Sequence, residues 1–317
     1  MSLFDECFNT YNFLTEKPKK WNAFWNKELE KLKSIPFEIK KIQKDTTSTI
    51  YTIEYHSAEK QKIKGTLVLP EKVKKPPVIV FFPDYFSETK IYKSLNNAGF
   101  AQFSVRLRGH ENFKRLNKEA VEIKSDEIKE KSYGYFSENL LVLDNYYMKN
   151  LYLDAYRTLE ILRLQKEINS SRIGIWGTGI GAAMGLFAAS FMKRTSALFL
   201  ESPSFALLSL TQNISKTNYA REINSFIRAK KANKHIIKEN LNLLDSMYFA
   251  DNLEIPVHLS VNLKDKENVP QGGFAVFHRI PSEKDILIFT DLTENTTDDM
   301  QKTIIQTAKN FFEKKIN

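Results

Sequence analysis

The chain has 317 residues, of which 42% are hydrophobic, 12% aromatic and 27% charged, a balance typical of a globular protein with a filled core. This composition excludes a disordered, collagen-like or coiled-coil chain, and the single cysteine, Cys7, excludes an internal disulfide and a cysteine metal cluster. The net charge of +9 comes mainly from lysines spread along the chain, so we expect a solvated surface and no nucleic-acid partner.

Neither a leader nor a membrane segment is expected from the sequence. The early acids Asp5 and Glu6 interrupt the region where a secretory leader would be apolar. No apolar run approaches the roughly 20 residues needed to cross a bilayer. Together with the single thiol, these features predict a cytoplasmic protein without membrane contact.

The chain order of predicted elements starts with an amphipathic helix over 19–33, inside an N-terminal brace that we assign to residues 1–45. Alternating apolar residues then predict an antiparallel pair of strands at 49–57 and 62–70. Short continuous apolar runs predict buried parallel strands at 76–83, 100–107, 172–177, 197–202, 255–261 and 285–290. Helices are expected between them, at about 87–97, 145–166, 180–193, 216–249 with interruptions, 269–278 and 299–315.

This alternation predicts an α/β fold with a mostly parallel, doubly wound sheet and N-terminal antiparallel edge strands. The polar segment 108–147 is expected to be an insertion on the rim. Because we find neither a repeat nor a linker, we predict a single domain over 1–317. Ligands of such sheets bind beyond the carboxyl ends of the strands, which directs attention to the loops there.

Glycines cluster at one predicted strand-to-helix turn. Five of the eleven in the chain fall there: Gly174, Gly177, Gly179, Gly181 and Gly185. One interpretation is the nucleophile elbow G-x-S-x-G of serine hydrolases, in which the serine side chain is exposed at the tip of the turn. Here Gly179 takes the place of the serine, and Thr178 lies one residue too early to replace it.

A dinucleotide fingerprint is the second interpretation of the same glycines. Gly177, Gly179 and Ala182 satisfy G-x-G-x-x-A, and Glu201 ends the next strand about 20 residues later, where the fingerprint needs an acid for the ribose. The fingerprint usually belongs to the first strand of its sheet, whereas four apolar runs precede this one. Both interpretations stay open on the pattern alone.

Longer stretches resemble the acetyl xylan esterase and cephalosporin C deacetylase family. They are residues 146–185, the tripeptide Arg108-Gly109-His110, the WNAFWNKEL opening and residues 260–280. The resemblance extends over roughly the whole chain. It implies an α/β-hydrolase fold, an activity that removes acetyl groups, a small acylated carbohydrate-like ligand, and a homo-oligomer built as a ring of six.

The catalytic residues of that family are carried over position by position. Its serine corresponds to Gly179, its triad acid to Asp265 and its histidine to Thr293, so the resemblance implies that two of three triad members are substituted. The histidine is required to take the proton of the nucleophile and return it to the leaving group, which threonine cannot do near neutral pH.

Other positions of the expected pocket follow from the same resemblance. The backbone N–H groups of Tyr85 and Ile180 correspond to the oxyanion donors, although the family's His-Gly before that tyrosine is Pro83-Asp84 here. Arg108 and His110 are expected at the rim of the pocket. We expect His110 to be hydrogen-bonded within its turn rather than to act as a relocated base.

Chain order supports the loss of the histidine. In α/β-hydrolases the nucleophile, acid and histidine follow one another in sequence. The five histidines are His56, His110, His235, His258 and His278, and all precede the last predicted strand. Without an imidazole to orient, we interpret Asp265 as inherited without function. The histidines show no metal-ligand spacing, so no metal and no cofactor is expected.

The sequence therefore predicts a degenerate esterase of this family that lacks serine-esterase activity and has a ligand-binding or assembly role. An active ester hydrolase with a relocated centre is the first alternative. A dinucleotide-binding protein that uses the glycines at 177 and 179 is the second.

Overall fold

Nine strands form one mixed sheet in a computed structural model that describes residues 3–10, 16–44, 49–87, 90–110, 134–290 and 294–316. The strands are β1 (Lys40–Gln43), β2 (Ile50–His56), β3 (Lys62–Val68), β4 (Val78–Phe82), β5 (Ala101–Arg106), β6 (Ile173–Thr178), β7 (Ala197–Glu201), β8 (Val257–Asn262) and β9 (Lys284–Phe289). Their order across the sheet is β1-β2-β3-β5-β4-β6-β7-β8-β9.

The sheet divides into an antiparallel and a parallel part, which confirms the predicted fold class. Strands β1, β2 and β3 pair antiparallel and join the sheet through an antiparallel β3–β5 ladder. From β5 to β9 every ladder is parallel. The residues of β4, β7 and β8 are buried throughout, as continuous apolar runs predict for strands covered on both faces. The edge strand β1 was not predicted from the sequence, because it is short and mostly exposed.

Ten α-helices have the following bounds: α1 (Leu3–Thr10), α2 (Trp21–Lys33), α3 (Lys93–Asn97), α4 (Tyr147–Arg163), α5 (Ile180–Phe191), α6 (Leu208–Ile214), α7 (Asn218–Ala229), α8 (Lys234–Leu244), α9 (Pro270–Arg279) and α10 (Glu294–Ile316), counted within the described ranges. Helix α1 was not predicted. Helix α3 is shorter than expected because the Gln102 side chain bonds both the N–H and the carbonyl of Tyr92 and holds that residue extended. In this part of the chain no helix has the length and apolar character needed to cross a bilayer.

The helices cover both faces of the sheet. Helices α4 and α5 pack on one face, and Leu95 of α3 with Phe312 of α10 packs on the other. Helix α2 lies over the first layer, where Trp25 contacts Phe187 of α5 at 4.8 Å between ring centroids. The carboxyl ends of β4 and β6 are neighbours in the parallel ladder, so the loops that follow them meet.

Residues 111–133 of the predicted rim insertion and parts of the N-terminal brace lie outside the described residues.

Candidate functional site

Gly179 forms the turn between β6 and α5. Its backbone angles are φ +54° and ψ −116°, a region that side chains with a Cβ atom rarely adopt. The flanking glycines allow close backbone packing, since a Cβ atom on Gly177 would lie 2.3 Å from the carbonyl oxygen of Gly181. The chain therefore keeps the sharp strand-to-helix turn of a nucleophile elbow without a nucleophile at its tip.

The carboxyl group of Asp84 occupies this turn. Its Oδ1 atom accepts hydrogen bonds from the backbone N–H groups of Tyr85 and Ile180, each at 2.8 Å. Its Oδ2 atom accepts a hydrogen bond of 3.3 Å from Nδ2 of Asn268. A Cβ atom on Gly179 would lie only 2.1 Å from Cγ of Asp84. One side chain thus takes the space of a side chain at 179 and both of the N–H groups expected to bind an oxyanion.

The environment of Asp84 sets its protonation. Burial raises the pKa of this carboxyl to about 6, while the bonds from Ile180, Tyr85 and Asn268 oppose the rise. Asp84 is therefore mostly ionised at neutral pH. A negative charge at this position is also favoured by the N-terminus of α5, where the helix dipole is positive.

From the sequence, Asp84 is only a departure from the family pattern, and no role is predicted for it. One feature of the sequence pointed to a role for it, because Asp84 directly precedes Tyr85, whose N–H was expected to be an oxyanion donor. What the sequence did not show is that the side chain folds back onto its own neighbour's N–H.

Asp265 lies in the loop after β8 and is half-buried. Its Oδ1 atom accepts hydrogen bonds from the N–H groups of Glu267 at 2.8 Å and Asn268 at 3.0 Å, so the carboxyl stabilises its own turn. Burial raises its pKa. It is Asn268, which the sequence analysis did not single out, that contacts Asp84. Thr293, the position of the family's histidine, lies outside the described residues.

The histidines are all described, and none bonds Asp84, Asp265 or the turn at 177–182 within the described residues. His110 stacks on Phe86 with ring centroids 5.4 Å apart, and burial lowers its pKa to about 4, so it is neutral at pH 7. The others lie elsewhere: His56 pairs with Glu38, His258 stacks on Phe199, His278 contacts Phe8, and His235 is exposed on α8.

Arg108 directs its charge into the protein. Its guanidinium forms two hydrogen bonds with the carboxylate of Asp154 on α4, at 2.7 and 2.6 Å, and a third with the carbonyl of Ala58 at 3.4 Å. Its own carbonyl accepts a bond from the Tyr147 hydroxyl at 3.1 Å. These contacts fix the turn that carries His110, so Arg108 acts on the rim by positioning.

Glu222 of α7 joins two segments above the turn. Its carboxylate accepts hydrogen bonds from the Tyr85 hydroxyl at 3.1 Å and the Phe136 N–H at 2.9 Å. Tyr85 packs on Phe136 with ring centroids 4.8 Å apart, and Tyr135 stacks on Tyr147 at 4.9 Å. No local pattern could reveal Glu222, because its partners lie 137 and 86 residues away in sequence.

One small cavity lies beside Asp84. The cavity that Asp84 shares with Ser87, Tyr92 and Thr178 has a volume of about 30 Å³. That volume accommodates about two water molecules and is far too small for an acetylated sugar.

The acid of the dinucleotide interpretation is already bound within the protein. Glu201 is 5% exposed, and its carboxylate accepts bonds from Trp176 and Thr178, each at 3.1 Å, and from Gln301 at 2.8 Å. The N–H of Ile180, the first residue of α5, is bound to Asp84. This arrangement leaves neither the ribose acid nor that N–H available to a dinucleotide.

Glu222 makes the folded state sensitive to pH. Burial raises its pKa from 4.5 to about 7, so the folded chain binds this proton more tightly than the unfolded chain. The contribution of Glu222 to the free energy of unfolding therefore falls as pH rises from about 4.5 to 7, by at most about 3 kcal/mol.

We expect urea unfolding at pH 5 and pH 8 to show a smaller loss of stability in Glu222→Gln than in the wild type. Burial also raises the pKa values of Asp84 and Asp245 to about 6. Their contribution to the pH dependence of stability is the same in the wild type and in Glu222→Gln, so it cancels when the two proteins are compared. An equal loss in the two proteins would contradict the assignment.

A serine at position 179 should be costly while Asp84 is present. Gly179→Ser introduces a Cβ atom at 2.1 Å from Cγ of Asp84, in a backbone conformation that itself costs about 1–3 kcal/mol for a residue other than glycine. We expect the loss of unfolding free energy to be smaller in an Asp84→Gly background, with a coupling of about 1 kcal/mol or more. Denaturation of the four proteins measures this coupling, and purely additive losses would contradict the overlap.

Comparisons with known proteins identify relatives over nearly the whole chain. The family model described as acetyl xylan esterase (AXE1) matches residues 1–312. Acetyl esterase Axe7A of Xylanibacter ruminicola is 23% identical over 297 residues, which cover 89% of this chain and 64% of that protein. The chain thus spans less than two thirds of the length of this relative.

Solved structures show the same fold. An acetyl xylan esterase from Paenibacillus sp. R4 superposes with a TM-score of 0.78 at 20% identity, over 96% of this chain and 99% of that one. Acetyl xylan esterase 1 from Thermoanaerobacterium sp. JW/SL YS485 gives a TM-score of 0.77 at 19% identity, over 96% and 98%. The sheet described above is therefore that of an α/β-hydrolase, as the resemblance implied.

Proposed function

The chain belongs to the acetyl xylan esterase family, and from this membership we propose that it is a member without serine-esterase activity. The observation that carries the proposal is the pair of hydrogen bonds from Tyr85 N–H and Ile180 N–H to Asp84. In a hydrolase these two donors stabilise the charge that develops on the substrate oxygen, and here a carboxylate of the chain itself satisfies them.

Three independent changes each lower the expected rate of ester hydrolysis. Gly179 supplies no hydroxyl to attack an ester, and Thr293 supplies no imidazole to accept a proton. Asp84 adds a negative charge where the transition state would place another, so it opposes catalysis electrostatically as well as sterically. Any one of the three would remove a large part of the rate.

The experiment is an assay of the purified wild type with p-nitrophenyl acetate and with acetylated xylo-oligosaccharides. We expect no turnover above a blank and no labelling by a serine-reactive phosphonate. Turnover that disappears in His110→Ala would instead support an ester hydrolase with a relocated centre. Turnover that His110→Ala leaves unchanged, with labelling of one serine, would also overturn the proposal.

For the retained fold we propose a binding or assembly role. A small acylated carbohydrate-like ligand and a ring of six subunits are the partners that the family resemblance implies. Isothermal titration with acetylated oligosaccharides tests the first and light scattering tests the second.

A further inference from the structure

Positive charge is concentrated on the outer side of α7 and α8. Residues 216–239 contain seven lysines and arginines but only two acids, although they are a small part of a chain whose net charge is +9. Six of these cations are exposed and define what we call the basic strip: Lys216, Arg221, Arg228, Lys231, Lys234 and Lys238. This concentration differs from the even spread inferred from the sequence.

Helix packing explains why the cations face outward. The apolar residues Tyr219, Ala220 and Ile223 of α7 and Ile237 and Leu241 of α8 are buried against the fold. Arg221, Arg228, Lys234 and Lys238 occupy the remaining sides of the two helices, as an amphipathic helix on a protein surface requires. Lys216 and Lys231 lie in the turns that precede α7 and α8.

None of the acids in the described ranges neutralises the strip. Glu222 turns inward to Tyr85 and Phe136, which leaves Glu239 as the exposed acid of the segment. Within the described part of the chain, no carboxylate lies within ion-pair distance of a strip residue. Arg221 and Arg228 instead bond the Lys216 carbonyl and the Ser225 hydroxyl. As far as the described residues extend, the six charges are therefore left to an external anion.

The strip is continuous with the loop that reaches the candidate site. The Lys216 N–H donates to the Lys266 carbonyl at 2.8 Å, and the Ser215 hydroxyl donates to the Glu267 carbonyl at 2.7 Å. Asn268, at the end of that loop, bonds Asp84. Lys266 is exposed and extends the positive surface in this direction. A partner on the strip would consequently pass beside the carboxyl edge of the sheet.

The shape and composition of the strip favour an extended anionic polymer. The twelve residues of α7 and the eleven of α8 each span about 16–18 Å, longer than a single small anion. Four of the six cations are lysines, which act as point charges and need no planar, two-pronged partner. Among the described exposed positions of the two helices, the imidazole of His235 is the single ring on which a base could stack, which is too few for a run of bases. The apolar helix faces are buried and cannot enter a bilayer.

We propose that the basic strip binds a polyanionic polysaccharide, one whose sugar units carry repeated carboxylates. The family membership favours a sugar polymer, and the exposed cations select a charged one. The proposal goes beyond the loss of esterase activity and does not depend on it, because binding to the strip requires no chemistry at Gly179.

The test measures binding of the full-length chain to immobilised polygalacturonate at 50 and 200 mM salt, with neutral xylan as the reference surface. The strip variant is Lys231→Gln/Lys234→Gln/Lys238→Gln. The matched control, Lys72→Gln/Lys74→Gln/Lys75→Gln, removes the same number of exposed charges from the loop between β3 and β4. Both proteins are first checked for wild-type melting temperatures.

We expect the wild type to bind polygalacturonate and not neutral xylan, with an affinity that falls as salt rises. The strip variant should bind at least about tenfold more weakly, and the control should stay within about twofold of the wild type. Equal weakening of both variants would show non-specific attraction and overturn the proposal. Tighter binding to duplex DNA or to anionic vesicles at the same salt would overturn the assigned partner class. Ester hydrolysis by the wild type would contradict the proposed function but leave this result unaffected.

Discussion

A chain that carries Gly179→Ser, Thr293→His and Asp84→Gly is expected to hydrolyse p-nitrophenyl acetate, whereas the same chain with Asp84 retained is expected to stay at background. Serine and histidine restore the attacking hydroxyl and its base, and Asp265 is already present as the acid. The third substitution restores the glycine that the family resemblance implies at position 84, and it frees the N–H groups of Tyr85 and Ile180.

The size of the expected difference follows from the two donors. Loss of a single oxyanion donor lowers kcat by about 10²–10³, so occupation of both by a carboxylate should lower the rate by at least that factor. A serine in the presence of Asp84 is also displaced, because its Cβ atom overlaps Cγ of Asp84. The initial rate of the triple variant should therefore exceed that of the double variant by at least about 100-fold.

Two controls distinguish catalysis from a change of folding. A triple variant with Asp84→Asn in place of Asp84→Gly keeps a side chain in the same space and should stay near background. Adding Asp265→Asn to the active variant should abolish turnover, since the new histidine loses its orienting acid. Comparable rates in the double and triple variants would contradict the inhibitory role of Asp84.

Asp154→Ala is expected to cost about 3–5 kcal/mol of unfolding free energy. The substitution removes the carboxylate that forms two hydrogen bonds with the buried Arg108 guanidinium, since the two side chains are only 8% and 2% exposed. The Glu59 carboxylate, 3.7 Å away and 41% exposed, would remain as a weaker ion-pair partner. The same change also loosens the turn at 107–110. Urea denaturation monitored by circular dichroism measures the loss.

The matched variant Arg108→Met/Asp154→Leu removes both charges and should lose much less stability than Asp154→Ala, because an uncompensated buried charge costs more than a missing pair. A loss below about 1 kcal/mol in Asp154→Ala would show that the pair is solvated and contradict the geometry described.

Strands with strong local patterns were predictable from the sequence. The continuous apolar runs of β4 to β8 reflect burial on two faces, and the alternation in β2 and β3 reflects burial on one, so both patterns can be recognised in the residue order. The run at 285–290 predicted β9 as a buried strand, but β9 lies at the edge of the sheet and is only partly buried. The short, polar β1 has no such pattern, since its place in the sheet comes from pairing with β2. Helix α3 begins late because of the distant amide of Gln102, which no local propensity encodes.

The candidate site likewise combines features that the local sequence predicts with features that depend on distant contacts. The turn at Gly179 was predictable because a cluster of glycines marks a sharp strand-to-helix connection. The substitutions at the serine and histidine positions stay predictions from chain order and resemblance. The part played by Asp84 requires three-dimensional contact with Ile180, 96 residues away. Glu222 likewise depends on partners 137 and 86 residues away in sequence. The rim residue Arg108 was expected at the pocket, whereas its charge is bound to Asp154 on α4.

The contact between Asp84 and the two N–H groups can be measured directly by following the amide proton shifts of Tyr85 and Ile180 with pH. We expect both resonances to move together with one midpoint near pH 6, the pKa to which burial raises Asp84, and to stop titrating in Asp84→Asn. Two amide protons that show no common midpoint, or that titrate unchanged in Asp84→Asn, would show that the carboxylate does not occupy the turn.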